Sequence, residues 1–357
     1  MSHERGRSSE QRECSEHTQY SEHAECSGHN RPSRRDFLGI ATSCSAHLFL
    51  TLAAGTPLAR RAFASTPRGR PLVQESWGRL ERVAEGAWAL VSTPLAAGPD
   101  ARRTLSNGGI IAGRDAVLVI EGFASQEGAS WLAEAALELT GRWPTHVVLT
   151  HYHGDHSNGL PAYLAGGRSA TFVTTGPTFE RLAELGQDRE PAAAATRALD
   201  APGNIRVGDA AQELDLGGRQ VRIVPRSGHT RSDLSVELVD PRVVWCGDLV
   251  WIGMFPNYVD ATPSRKSEHV RSFLAEPRGI FVPGHGSLAE AAELGRYLDL
   301  LDHVEAAARA AYAAGTPVDR AAADYRPSDA LGEWTLFSDR YYRVAFGAWE
   351  RELSGGS

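Results

Sequence analysis

The sequence predicts a mixed α/β fold in which two β-sheets pack face to face with helices on the outside. Two observations carry that expectation. Short apolar runs bounded by glycine, asparagine and aspartate alternate with helix-period segments, and they do so in two successive groups. The chain has 357 residues, 42% hydrophobic and 23% charged, enough for one large core or two small ones. No solenoid repeat interrupts the pattern. The net charge of -7 lacks the basic footprint of a nucleic-acid binder.

The elements follow in order. GAWALVS (86–92), GGIIAGR (108–114) and AVLVIEG (116–122) read as strands, with turns at Asn107-Gly108 and Arg114-Asp115. SQEGASWLAEAALELTG (125–141) spaces Trp131, Leu132, Ala135, Ala136 and Leu139 at helical intervals and stops at Gly141. THVVLT (145–150) is a short buried strand, and SNGLPAYLAG opens another helix. ATFVTT (170–175) and GPTFERLAEL (176–185) repeat the strand–helix alternation. QELDLGGRQVRIV (212–224) is a hairpin around Gly217-Gly218. LSVELV (234–239) and RVVWCG (242–247) form a second pair around Asp240-Pro241. TPSRKSEHVRSFLAE (262–276) is a helix, GIFVPGHG (279–286) a strand, and the rest is mostly helical.

Residues 1–64 read as a leader and export signal. Ser33–Leu38 (SRRDFL) pairs two arginines ahead of an apolar stretch, and AFA ending at Ala64 is a small-x-small cleavage pattern. This resembles a twin-arginine signal, which implies a bacterial periplasmic or extracellular product with no stable membrane insertion after cleavage. The stretch ahead of it, rich in Cys, His, Ser and Glu, has too few apolar residues to fold around. Cys14, Cys26 and Cys44 fall in the leader, so Cys246 alone remains, and in a VVWCG run it reads as a small buried hydrophobe. Residues 65–76 read as a linker, 77–290 as the main domain and 291–357 as a helical extension packed on it.

Of the thirteen histidines, eight follow the leader, and five of those sit at predicted strand ends beside glycine or another ligand-type residue. In HYHGDH, alternate residues at a strand end point the same way, so His151 and His153 can share one metal. Asp155 and His156 lie beyond the bend around Gly154 and can face a second. SGHT supplies His229, CGDL supplies Asp248 and PGHG supplies His285, each after an apolar segment and each preceded by a glycine. Imidazole with carboxylate suits zinc, and also iron or manganese. His146, His269 and His303 read as surface or helix-face residues.

HYHGDH, SGHT, CGDL and PGHG, in that order, resemble the metallo-β-lactamase superfamily from about Val83 to Leu288. The resemblance implies a four-layer αββα sandwich with the metals at one edge. It implies that His151, His153 and His229 bind a first metal, that Asp155, His156 and His285 bind a second, and that Asp248 bridges them as in glyoxalase II sites. The family ends an early strand with Asp-x-Gly, whose Asp orients a metal ligand. Here VLVIEGF puts Glu121 in that role.

Two zinc ions held this way would activate a shared water for attack on an ester, thioester, lactam or lactone, with Asp155 moving the proton. No GxSxG nucleophile is present. Dedicated lactamases of the main zinc subclass carry cysteine and, three residues on, lysine where this chain has Asp248 and Trp251. The alternatives are a genuine metallo-β-lactamase, a mononuclear iron persulfide dioxygenase-like enzyme and a non-catalytic metal-binding protein. Flavodiiron enzymes place Glu at the position of His153. WIGMFPNYVDATPSRK resembles loops of exported members associated with quinoprotein systems. Trp251, Phe255 and Tyr258 are its candidates for the wall of a small-molecule pocket, with Arg265 and Lys266 as anion contacts. Loop packing and a solvated helix start are the plainer readings. The aromatic C-terminal run WTLFSDRYYRVAFGAWE reads as core packing, with a homodimer contact or a pocket lid as the alternatives.

Overall fold

A computed structural model describes residues 68–75, 77–93, 104–336, 338 and 340–355. The leader with its twin-arginine stretch, Cys14, Cys26, Cys44, and Phe337 of the C-terminal aromatic run lie outside the described residues.

The first sheet has eight strands in sequence order: β1 (Arg70–Gln74), β2 (Gly78–Ala84), β3 (Ala87–Ser92), β4 (Gly108–Ala112), β5 (Val117–Ile120), β6 (His146–Val148), β7 (Thr171–Thr175) and β8 (Ile205–Val207). Neighbours are antiparallel through β5 and parallel from β5 to β8. The second sheet has five strands in the order β13-β12-β11-β10-β9, from β9 (Gln212–Asp215), β10 (Gln220–Arg226), β11 (Asp233–Leu238), β12 (Val243–Ile252) and β13 (Ile280–Gly286). β12 and β13 are parallel and the rest antiparallel.

Three strands depart from the sequence expectations, among them the three-residue β8, too short to show a period. β1 lies within the stretch expected as a linker and pairs with β2 as an exposed edge. β2 went unmarked because its composition is polar: buried Arg79 and Glu81 form an ion pair inside it, so alternation of apolar residues is lost.

Three apolar layers separate four layers of secondary structure. Helix α1 (Gln126–Thr140) covers the first sheet. Ser125 caps it by accepting the Gly128 N–H, and Gly141 closes it in the left-handed region with φ 70. Leu132, Ala133 and Ala136 face Val117 and Val119 of β5. The alternate residues Leu118 and Ile120 point the other way, into the layer shared with Val236 and Trp245 of the second sheet. Four helices cover the outer face of the second sheet: α5 (Pro263–Leu274), α6 (Ala291–Ala313), α7 (Val318–Asp324) and α8 (Arg340–Leu353). Leu294, Tyr297, Leu300, Phe346 and Trp349 pack there on Val244 and Cys246. The short helix α2 (Gly154–Ser157) and helices α3 (Gly176–Gly186) and α4 (Glu190–Leu199) complete the first half. No helix among the described residues is long and apolar enough to cross a membrane.

Candidate metal centre

The seven ligand candidates read from the sequence come together at one end of the sandwich. His151 and His153 follow β6, and the chain then bends into α2, which starts on the His153 carbonyl: the N–H groups of His156 and Ser157 both donate to it, at 3.0 Å. Two contacts from outside fix this turn. Ser106 donates its hydroxyl to the Asp155 carbonyl (2.7 Å), and the Gly122 N–H donates to the His156 carbonyl (2.6 Å).

The ligand-type atoms fall into two groups. His151, His153, His229 and Asp248 form one, and Asp155, His156 and His285 the other; within each, the facing atoms lie within 4.8 Å of one another. Asp248 faces both. Its Oδ2 is 3.2 Å from His229 Nε2 and 3.9 Å from His151 Nε2. Its Oδ1 is 3.2 Å from His156 Nε2 and 3.4 Å from His285 Nε2. Asp155 Oδ2 is 3.2 Å from His285 Nε2 and 3.7 Å from His156 Nε2.

Asp248 does not sit at a strand end, as its CGDL setting suggested. β12 continues to Ile252, and the carboxylate is presented from an irregular stretch where pairing with β13 slips on both sides of Gly247. Gly247 has φ 53, a conformation that favours glycine. Across from it, a Cβ on Gly284 would occupy the place of Asp248 Oδ1, so the glycine of PGHG is needed for the carboxylate to reach in.

The donor set fits a metal ion. His153 Nδ1 lies 3.1 Å from His151 Nε2 and 2.9 Å from His229 Nε2, three ring nitrogens converging on one point. His156 Nε2, His285 Nε2 and Asp248 Oδ1 are buried without an aligned hydrogen-bond partner. Buried polar atoms are normally satisfied, and cations among these lone pairs would satisfy them.

Electrostatics separate the groups. Burial, followed by the neighbouring imidazoles, pushes His151 well below the usual histidine range. Burial likewise pushes His229 well below, with Asp248 opposing. Burial opposes charge on His156 and His285 too, but the carboxylates around them win: His156 is held well above its usual range and His285 is raised to about 9. Burial would raise Asp155 and Asp248, and the surrounding imidazoles overcome it and hold both below the usual carboxylate range.

Outer contacts orient the rings. Glu121, buried and with φ 80, places Oε1 3.0 Å from His156 Nδ1 and accepts the Thr150 hydroxyl at 2.6 Å, so its longer side chain does reach the site. Asp260 escaped sequence reading because it lies in an aromatic loop with no ligand-like spacing. It accepts from His153 Nε2 at 2.9 Å. Burial would lower His153, yet this hydrogen bond and charge raise it. His146 and His303 lie apart from the centre, hydrogen-bonded to Thr145 and the Tyr325 hydroxyl, and half-buried His269 borders Arg226.

The aromatic pocket expected after Asp248 needs correcting. Trp251, Phe255 and Tyr258 are all buried in the apolar layer behind the second sheet. Trp251 packs on His285 with ring centres 4.3 Å apart, and Phe255 packs on Tyr342 of α8. The register slip around Gly247 breaks the alternation of β12 and puts Trp251 on the same side as Val244 and Cys246, and the following loop is drawn onto the helices by its aromatics. Arg265 is exposed and paired with Glu268, whereas Lys266 is fully buried and not on a solvated face.

A family model described as the metallo-beta-lactamase superfamily matches residues 101–309. The chain belongs to the metallo-beta-lactamase superfamily. A solved metallo-beta-lactamase from Pontibacter korlensis shares the superfamily fold: TM-score 0.50, 18% identity, covering 63% of this chain and 99% of that one. Among curated proteins, this superfamily member is 28% identical over 179 residues to a hydroxyacylglutathione hydrolase of Acidiphilium cryptum, covering 50% of this chain and 65% of the relative. It is 28% identical over 170 residues to the acyl-coenzyme A thioesterase MBLAC2 of Homo sapiens, covering 42% of this chain and 59% of the relative. The chain thus spans less than two thirds of either relative.

Proposed function

We propose that this superfamily member is an exported dinuclear zinc hydrolase that cleaves thioesters. The observation that carries the proposal is the position of Asp248, one oxygen on each ligand group. His151, His153 and His229 would hold one ion and Asp155, His156 and His285 the other. The completeness of the second group favours two metals over the single iron of a dioxygenase. The thioester reading draws on the two curated relatives, whose names give a glutathione thioester and an acyl-coenzyme A as substrates.

When bound, paired divalent ions lower the pKa of a shared water toward about 7 and polarise the scissile carbonyl. The chain's own residues do the rest. Glu121 and Asp260 fix the ring orientations of His156 and His153. Asp155, kept ionised by His156 and His285, is the carboxylate assigned to carry the proton to the leaving group. Substrate enters past His153 and Asp155, whose side chains keep 16% and 10% exposure while the other ligands are closed off. Phe255 and Tyr258 are committed to the core, so the pocket wall lies on that open side.

The test is metal analysis of protein purified without added metal, followed by a panel of glutathione and coenzyme A thioesters, a lactam and a lactone. The expected result is two zincs per chain and thioester turnover that chelation abolishes and zinc restores. One iron per chain with oxygen uptake, or turnover of the lactam alone, would refute it. Secretion of the full-length chain in a twin-arginine-competent host, lost when Arg34 and Arg35 become lysine, tests export.

A further inference from the structure

The chain carries 37 lysines and arginines, and only one of them, Lys266, is a lysine. Arginine serves every other cationic position. Lys266 is also fully buried, directly behind the metal centre. Its Nζ donates to the Asp248 backbone carbonyl at 2.9 Å and lies 5.5 Å from the centre of the Tyr258 ring. Asp248 and then Asp233 are the buried counter-charges.

The same residue closes a second contact. A Cβ on Gly228 would collide with the Lys266 backbone, so the SGHT loop is seated against the first turn of α5. The Thr262 N–H donates to the Gly228 carbonyl at 3.1 Å. Asp233 holds that loop from within, accepting the His229 N–H (2.9 Å) and the Thr230 hydroxyl (2.7 Å). Lys266 therefore joins the two backbone segments that present Asp248 and His229.

Stability does not explain the residue. Burying an ammonium carries a desolvation penalty, and an apolar side chain of similar length fills the same volume without it. Arginine, planar and bulkier, suits forked partners on a surface; a single carbonyl in a closed space suits the compact ammonium. We infer that Lys266 is a positioning residue of the metal centre, holding the irregular stretch of β12 so that Asp248 meets both ligand groups.

The inference rests on the metal reading of the site, and cobalt binding separates the two. Lys266→Met is compared with the parent chain for cobalt affinity, for the visible d–d spectrum of the cobalt form and for the melting temperature without metal. The expected result is a metal-free melting temperature no lower than the parent's, an affinity about tenfold or more weaker, and a shifted spectrum. A folded K266M with parent affinity and spectrum overturns the inference. A parent chain that binds no cobalt overturns instead the metal reading beneath it. A second measurement needs no variant. Protein labelled with 15N-lysine carries a single side-chain ammonium signal, which is expected to move as zinc is added and to stop at saturation. A signal that zinc leaves unmoved also overturns the inference.

Discussion

The two ligand groups face each other across Asp248, yet they are built on opposite electrostatic plans. The first is three imidazoles, two of them pushed toward neutrality by burial and by neighbouring positive charges. The second mixes two imidazoles with Asp155 and leans on Glu121, and its imidazoles are pushed toward charge. Without metal, the second group neutralises itself with protons and the first has few to give. Such a difference sets how each group takes up an ion, and it can be tested by breaking the shared residue, then each group, then the outer contacts.

The largest effect is expected at the shared residue. Asp248→Asn removes the charge that both groups use, and both ions should be lost on dialysis, a penalty beyond the roughly 10–100-fold typical of outer contacts. Metal content by atomic emission is the measurement. Retention of a full complement would show that the groups are independent and that Asp248 does not bridge.

Next come single deletions. His285→Ala should empty the second group and leave about one ion per chain, while His229→Ala should do the converse. Each should abolish turnover while the fold survives, because both residues lie at the sandwich edge and not within its apolar layers. If either variant lost both ions, the two groups would be one cooperative site.

Acidity then distinguishes them without mutation. Ion uptake by the second group must displace protons from His285, whose pKa is raised to about 9 against burial by Asp248 and Asp155, and from His156, which the carboxylates hold well above its usual range. Rising pH removes those protons beforehand, so affinity should climb by more than about tenfold per unit up to about pH 9 and less steeply beyond it. In the first group His151 and His229 are already neutral across that range, leaving His153 as the proton source. Its affinity should therefore rise less steeply. Competition with a chromophoric chelator between pH 6 and 10, using H285A and H229A to isolate each group, reads both slopes. Equal slopes would remove the electrostatic contrast.

The ligand candidates were legible in the sequence because they follow apolar runs and sit near a glycine or another ligand-type residue, a local signature that needs no tertiary information. The sheets and most helices were legible for the same reason, since their periodicity is local. What escaped depends on partners distant in sequence. Asp260 meets His153 across 107 residues, and nothing in NYVDAT marks it. Lys266 reads as part of a solvated helix start until the SGHT loop closes over it. β2 hides its strand character because Arg79 and Glu81 satisfy each other inside the sheet. The pocket-like aromatics after Asp248 misled because aromatic composition is the same for a wall and for a core.

The smallest expected effects lie in the outer contacts, and they also differ between groups. Glu121 is buried and touches both His156 and the Thr150 hydroxyl, so Glu121→Gln leaves a neutral amide where two partners want a carboxylate. Asp260 retains 15% exposure, and water can replace part of its contact with His153. Outer partners commonly contribute about 10–100-fold in metal affinity. E121Q should fall near the upper end and act chiefly on the second group, with a smaller effect relayed to His151, whose Nδ1 lies 3.0 Å from the Thr150 hydroxyl. Asp260→Asn should fall near the lower end and act on the first. Cobalt titrations that resolve the two uptake steps would show each variant weakening a different step. If both weakened the same one, the assignment of Glu121 to one group and Asp260 to the other would be wrong, and the two groups would have to be treated as a single network tied together through Asp248.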